Sequence, residues 1–303
     1  MTGHYSAIAC MLASLALYAQ DDAVHVREDR LTLPTYNEGA PDPNPQFSLF
    51  HQGQFPEYPY TIRTLLNRIR GTAQWRIIVL ENQYLRCRVL PDLGGHLYGC
   101  TDKTTGREVF YANQAIRTIL VNTRGAFIAT GIESSFPIAH SRVGGSPVDF
   151  AFSDRGGTGR AVVEDTDRAS GMVWRVEFIL RPGSAVLEQR VTLHNASAAR
   201  RGYQWWANAV IELDDPHLRF VYPAKWMVIH GPGAMSPWPV NAAGIDLSDA
   251  ANHTAQVGLF AHGSREPWMA VYKPKLRSGV VHYADPNEVR GKKIWSFGSD
   301  DKY

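Results

Sequence analysis

Val173-Trp-Arg-Val-Glu-Phe-Ile-Leu180, Arg181-Pro-Gly-Ser184 and Val186-Leu-Glu-Gln-Arg-Val-Thr-Leu193 read as two strands and the turn that joins them. Trp174, Val176, Phe178 and Leu180 recur every second residue and so share one face of the first arm. On the return arm Leu187, Val191 and Leu193 share a face, with Gln189 the exception. The Pro-Gly pair supplies the turn. Working outward, the same signals recur. Trp75–Glu81, Leu85–Leu90, His96–Thr101, Arg107–Tyr111, Pro147–Phe152 and Arg160–Glu164 precede the hairpin. Tyr203–Leu213, Arg219–Tyr222, Lys225–His230, Gln256–Ala261, Trp268–Tyr272 and Gly279–Tyr283 follow it. Thr61–Arg70 is a short helical candidate that Gly71 would end, and no long segment carries a 3.6-residue period. Short strands separated by Gly, Pro, Asn and Asp turns predict an all-β chain, a large antiparallel β-sandwich with few short helices.

The predicted organisation is one domain over residues 61–303, preceded by an extended arm over 20–60 that carries Pro34, Pro41, Pro43, Pro45, Pro56 and Pro59. Ahead of it, Ala7–Ala19 is almost wholly apolar and resembles a signal peptide spanning 1–19. Such a leader implies export to the periplasm or beyond; without it the chain would stay in the cytoplasm. No later run reaches the ~18 apolar residues of a membrane helix, so no membrane span is expected. The 31 basic and 29 acidic residues nearly balance, and no basic run interleaves with aromatics, which argues against a nucleic-acid partner. Cys87 and Cys100 flank Pro91-Asp-Leu-Gly-Gly95, so a hairpin could set them opposite each other, as a disulfide or as two buried thiols. No Cys/His spacing suits a metal. Lys292–Gly298 reads as a strand entering a turn, and the polar stub to Tyr303 suggests a chain that continues in a longer protein.

Chemistry-bearing residues crowd into one stretch, Arg124-Gly-Ala-Phe-Ile-Ala-Thr-Gly-Ile-Glu-Ser-Ser-Phe-Pro-Ile-Ala-His140. Gly131 ends an apolar run and Pro137 is incompatible with a regular strand or helix interior, so Glu133, Ser134 and Ser135 are expected on an irregular polar loop. The bland alternative is a loop that satisfies its own backbone.

Several segments together carry a resemblance: Leu90-Pro-Asp-Leu-Gly-Gly95, Asp102-Lys-Thr-Thr-Gly-Arg-Glu108, Gly131–His140, Ser146-Pro-Val-Asp149, Leu187-Glu-Gln-Arg190, Trp206-Ala-Asn208, Ala284-Asp-Pro286 and Gly291-Lys-Lys293. Over roughly residues 30–298 the chain resembles an uncharacterised family of bacterial proteins with a galactose-mutarotase-like β-supersandwich, often preceding tetratricopeptide repeats. The resemblance implies a carbohydrate partner and C-terminal repeats in the full-length protein. The family's Gly-Ile-Glu-Phe-Asn-Phe-Pro keeps Glu133, Phe136 and Pro137 here, with Ser134 and Ser135 in place of Phe and Asn. Aldose epimerases of the wider fold carry a histidine where this chain has Tyr203-Gln-Trp-Trp-Ala-Asn208, which argues against a typical aldose 1-epimerase.

The expected function is therefore carbohydrate-active or carbohydrate-binding. The leading form is a glycoside hydrolase-like enzyme with Glu133 as acid/base and His140 assisting; the alternative is a non-catalytic sugar-binding module of a larger repeat protein. A hydrolase needs a second carboxylate, and Asp149, Glu212, Asp214, Asp215 and Asp285 are its candidates. Arg124, Trp206, Asn208, His230, Trp238, Asp285 and Lys293 are the expected substrate-binding residues. Of Trp205 and Trp206, one must face the core on a regular strand. Trp226 is a further stacking candidate, and one of Lys292 and Lys293 is expected to be solvated. No cofactor is expected beyond a weak Ca²⁺ pair at Asp214-Asp215, which reads first as a turn.

Overall fold

The computed structural model describes residues 23–44, 58–63, 66–120, 126–137 and 139–298. The expected leader and Arg124 lie outside these residues. Eight strands lead up to the site: β1 (His25–Glu38), β2 (Leu66–Glu81), β3 (Leu85–Leu90), β4 (His96–Asp102), β5 (Arg107–Glu108), β6 (Ile119–Leu120), β7 (Ala126–Phe127) and β8 (Ile132–Ser135). Then follow β9 (Asp149–Ser153), β10 (Gly159–Asp167), β11 (Met172–Leu180), β12 (Leu187–Asn195), β13 (Trp206–Ala209) and β14 (Arg219–Val221). The last six are β15 (Trp226–Ile229), β16 (Met235–Pro237), β17 (Val257–His262), β18 (Trp268–Lys273), β19 (Ser278–Tyr283) and β20 (Lys293–Ser296). The chain is all-β, its strand pairs within the sheets are antiparallel, and the described residues contain only two single-turn 3₁₀ segments besides strands.

A seven-stranded sheet runs β1-β2-β3-β4-β8-β13, with β5 on β4. It packs on the four-stranded sheet β12-β11-β10-β9. Ile78, Leu80, Val89, Leu97 and Ile132 from the first meet Val163, Trp174, Val176, Phe178 and Leu180 from the second in the main core. Each such side chain contributes about 1.5–3 kcal/mol on burial. The face alternation expected for the 173–193 hairpin is present: Trp174 pairs with Leu193, Val176 with Val191, Phe178 with Gln189 and Leu180 with Leu187. β2 is buried on both faces, because Ile77 and Val79 enter a second core with Leu33, Leu90, Tyr98 and Ile128 on the sheet's far side. A two-faced strand explains why Ile77-Ile78-Val79-Leu80 is an unbroken apolar run.

Two expectations are corrected. Residues 66–70 are strand, not helix: Arg70 pairs with Tyr36 and Leu66 with Glu38, so the ladder with β1 overrides local helix propensity. Pro34 sits in β1, an edge strand, where a missing N–H costs least. The second correction is larger. Ile132–Ser135 is no loop but β8, inside the seven-stranded sheet between β4 and β13. Pro137 falls just after the strand and therefore does not interrupt it. Gly131 opens it. With φ +48° and an imagined Cβ only 1.6 Å from the Leu97 carbonyl oxygen, this position admits glycine alone. Its N–H donates to the Tyr111 carbonyl, and its carbonyl accepts from the Val210 N–H just beyond β13, which fixes the start of β8.

Cys87 and Cys100 are directly opposed in β3 and β4, fully buried, and joined as a disulfide. The last third of the chain forms a three-stranded sheet β14-β18-β19 and a four-stranded sheet β16-β15-β17-β20. One face of the four-stranded sheet carries Met227, Leu259 and Ile294 into a small core with Trp238. The other face bears on the site.

Candidate functional site

β8 and β13 place the first half of the site. Glu133 lies opposite Asn208 and Ser135 opposite Trp206, so all four side chains belong to one face of the sheet. Ile132 takes the other face, in the main core. Glu133 is wholly buried at 0% exposure. Its two carboxylate oxygens accept from His140 Nδ1 at 2.9 and 3.1 Å. The His140 side chain keeps 19% exposure and touches two rings edge-on, Phe127 at 5.6 Å and Trp206 at 4.9 Å between centroids. Trp206 is fixed in turn by its indole N–H, which donates to the Ala139 carbonyl at 3.1 Å. Trp205 packs on Phe136 at the edge of the main core, so the pair divides between core and site as strand alternation requires.

The second half comes from the open face of the four-stranded sheet. Phe260 on β17 pairs with Lys293 on β20, and Gly258 pairs with Trp295. Alternation therefore sets Phe260, Lys293 and Trp295 on one face, with His230 beside them following β15. The Lys293 ammonium lies over three rings: Trp295 at 4.7 Å, Phe260 at 4.9 Å and Trp206 at 5.7 Å. The third of these contacts joins the two halves. His230 packs on Phe260 at 5.5 Å and edge-on to Trp295 at 5.2 Å. Gly258 makes room for this: a Cβ there would stand 2.9 Å from His230 Cβ and 3.1 Å from the Trp295 ring. Burial holds the Lys293 ammonium below the usual lysine range. Partial desolvation and then the Lys293 charge hold His230 below the usual histidine range.

These residues join a carboxylate-backed histidine, an aromatic surface and a half-buried cation. A family model described as "Domain of unknown function (DUF5107)" matches residues 53–302. The chain belongs to that family. A TPR-domain containing protein from Parabacteroides distasonis, 26% identical, superposes with a TM-score of 0.80 over 91% of this chain and 47% of that one. The chain thus spans about half the length of that structure. A galactose mutarotase-like protein from Clostridium acetobutylicum is 10% identical, with a TM-score of 0.43 over 73% of this chain and 91% of that one.

Of the residues expected from sequence, Glu133, His140, Trp206, Asn208, His230 and Lys293 fall in or beside this one cluster. Two do not. Trp238 is a core residue at 8% exposure, its indole N–H donating to the Tyr222 carbonyl, and a sugar cannot stack on it there. Asp285 is an exposed turn residue whose carboxylate accepts from the Asn287 N–H. The other proposed carboxylate partners are also placed. Asp149 and Glu212 are exposed, Asp214 pairs with Lys273, and Asp215 is buried accepting from the His217 and Lys275 N–H groups. Asp214 and Asp215 are thus engaged by structural partners. Among the described residues no group of three or more His, Cys, Asp or Glu is placed to hold a metal. Lys292 is buried, so neither lysine of the 292–293 pair is freely solvated. No helix among these residues is long and apolar enough to cross a membrane.

Sequence reasoning missed Phe260 and Trp295. The period-two pattern Lys293, Trp295 held the signal for the latter, since both had to share a face. A separate concavity of about 380 Å³ lies along β1 and β2. Its polar groups serve the fold: Asp92 accepts from the Arg76 N–H, Glu38 pairs with Arg63, and Trp75 donates to Thr35. It contains no counterpart of the Glu133–His140 pair.

Proposed function

We propose that the face formed by Trp206, Phe260, Trp295, His230 and His140 binds carbohydrate. The observation that carries this reading is the convergence of three aromatic rings on one face beside a histidine held by a buried carboxylate. Aromatic faces pack on the apolar side of a pyranose, and the histidine and Asn208 meet its hydroxyls. The family resemblance read from the sequence points to the same class of partner. In the longer proteins of the family, TPR-type repeats would join this module to other partners; the TPR-domain relative supports that arrangement.

A second reading, chemistry on the bound sugar, is favoured by the Glu133–His140 pair itself. Glu133 at 0% exposure cannot touch a substrate, so the roles expected from sequence are exchanged: His140 would be the acid/base and Glu133 its positioning residue. With Nδ1–H given to the carboxylate, Nε2 is the ring atom left for proton transfer. A two-carboxylate hydrolase gains no support, because the candidate second acids are exposed or engaged elsewhere.

One experiment tests both readings. A panel of oligosaccharides is titrated into the protein by calorimetry while NMR follows the sugars. Binding that falls at least about tenfold in Trp206→Ala and Trp295→Ala, with unchanged thermal unfolding, is the expected result. No heat and no sugar line broadening across the panel would reject it. Anomer exchange or new products lost in His140→Ala and reduced in Glu133→Gln would establish chemistry.

A further inference from the structure

The cations inside this protein generally come paired. Arg63 meets Glu38, Arg88 meets Glu108, Arg142 meets Asp167 and Lys273 meets Asp214. Buried Lys292 has Glu266 acting on it electrostatically. Lys293 departs from this pattern. It is half-buried, and among the described residues no carboxylate lies within ion-pair distance of its ammonium. Three rings lie beneath it, and its charge disfavours the ionisation of His230. Ring faces offset only part of the hydration a lysine loses: a cation–π contact gives about 0.5–2 kcal/mol. A desolvated cation recovers the remainder from an anion.

Resting on the carbohydrate reading above, we infer that the site takes an acidic sugar, with a carboxylate or sulfate group on the Lys293 ammonium and the ring against Trp206 and Trp295. Three features agree with an anion arriving on a sugar rather than free. The ammonium sits between aromatic faces, so a ligand reaching it also covers rings. Trp206 touches both Lys293 and His140, so one pyranose bridging them would present its charged substituent to the lysine and its hydroxyls to the histidine. The Glu133 carboxylate lies fully buried behind His140 and bonded to it, away from an incoming anion.

The test uses the full chain with three ligand sets of equal length: neutral oligosaccharides, uronate-containing oligosaccharides and sulfated neutral oligosaccharides. Affinities are measured by calorimetry and by intrinsic tryptophan fluorescence, at low and high salt. The expected result is at least about tenfold tighter binding of one acidic set than of the neutral set, weakened by salt. Lys293→Met, which keeps the aliphatic stem, should erase that preference, and Lys293→Arg should retain it. The two acidic arms separate carboxylate from sulfate. Equal affinity for neutral and acidic sugars overturns this inference alone. So does a Lys293→Met variant that unfolds earlier yet keeps the acidic preference, since Lys293 would then be a clip between the two sheets. Failure of every sugar to bind overturns the carbohydrate reading with it.

Discussion

β11 and β20 follow the same period-two pattern and reach opposite ends. In β11 the face shared by Trp174, Val176, Phe178 and Leu180 is closed between two sheets, and the other carries Arg175 and Glu177. In β20 the inward residue is Ile294, in a small core, while the outward positions are Lys293 and Trp295, the latter 39% exposed. A sheet that needs only solubility on its outer face carries residues such as Arg175 and Glu177. One that presents an indole, a phenyl ring and a lysine held among them has given up hydration to create a surface. The first region thus supplies stability, and under the proposed carbohydrate reading the second would supply recognition where its open face meets β13.

That contrast can be broken by measurement. Trp174→Ala should cost about 3–5 kcal/mol, because a fully buried indole leaves a cavity in the main core. Trp295→Ala should cost under about 1 kcal/mol while removing sugar binding. Equal losses of thermal stability in the two variants would erase the distinction.

A second measurement sharpens the electrostatic side of the closed region. Glu81 is ringed by Arg27, Arg86 and Lys103 at 3.3, 3.0 and 3.0 Å. Burial pushes its carboxyl up, but hydrogen bonds and charge from Arg86 and Lys103 outweigh this and lower it from 4.5 to about 2. The folded-state value is depressed, so its stabilisation is present above pH 4.5 and is lost as pH falls towards 2. Glu81→Gln should cost on the order of 2 kcal/mol at neutral pH, with the difference from the parent shrinking across that acidic window in urea titrations. A pH-independent difference would mean packing rather than charge.

A further effect is expected at Gly258. Gly258→Ala forces His230 and Trp295 apart and should cost roughly 1–2 kcal/mol. The more telling readout is a shift in tryptophan emission, absent in a Trp295→Phe background, with a loss of sugar affinity. Unaltered emission would show that the aromatic surface does not depend on this close approach.

Much of this molecule was legible residue by residue. The 173–193 hairpin, its buried face and the extent of β3 follow from alternation alone, because successive side chains of an extended chain point to opposite sides whatever their partners are. The division of Trp205 and Trp206 follows for the same reason. Glu133 and His140 stood out as a carboxylate and a histidine crowded by breakers. Their setting did not: Pro137 suggested a loop, and only the pairing of β8 with β4 and β13 makes Glu133 a buried strand residue behind the histidine. Trp238 and Lys293 looked equivalent in sequence, yet one lies in a core and the other on an open face.

The sequence by itself determined most of the strands and which sides of them would be apolar, since both depend on local geometry with a period of two; residues 66–70 and 132–135 became strands only through their ladder partners. The tertiary structure decided which sides meet. Trp206, Phe260 and Lys293 are far apart along the chain and come together through strand pairings whose register is chosen by the whole set of sheets. No local pattern encodes that three of the chain's many aromatic rings should gather around one lysine.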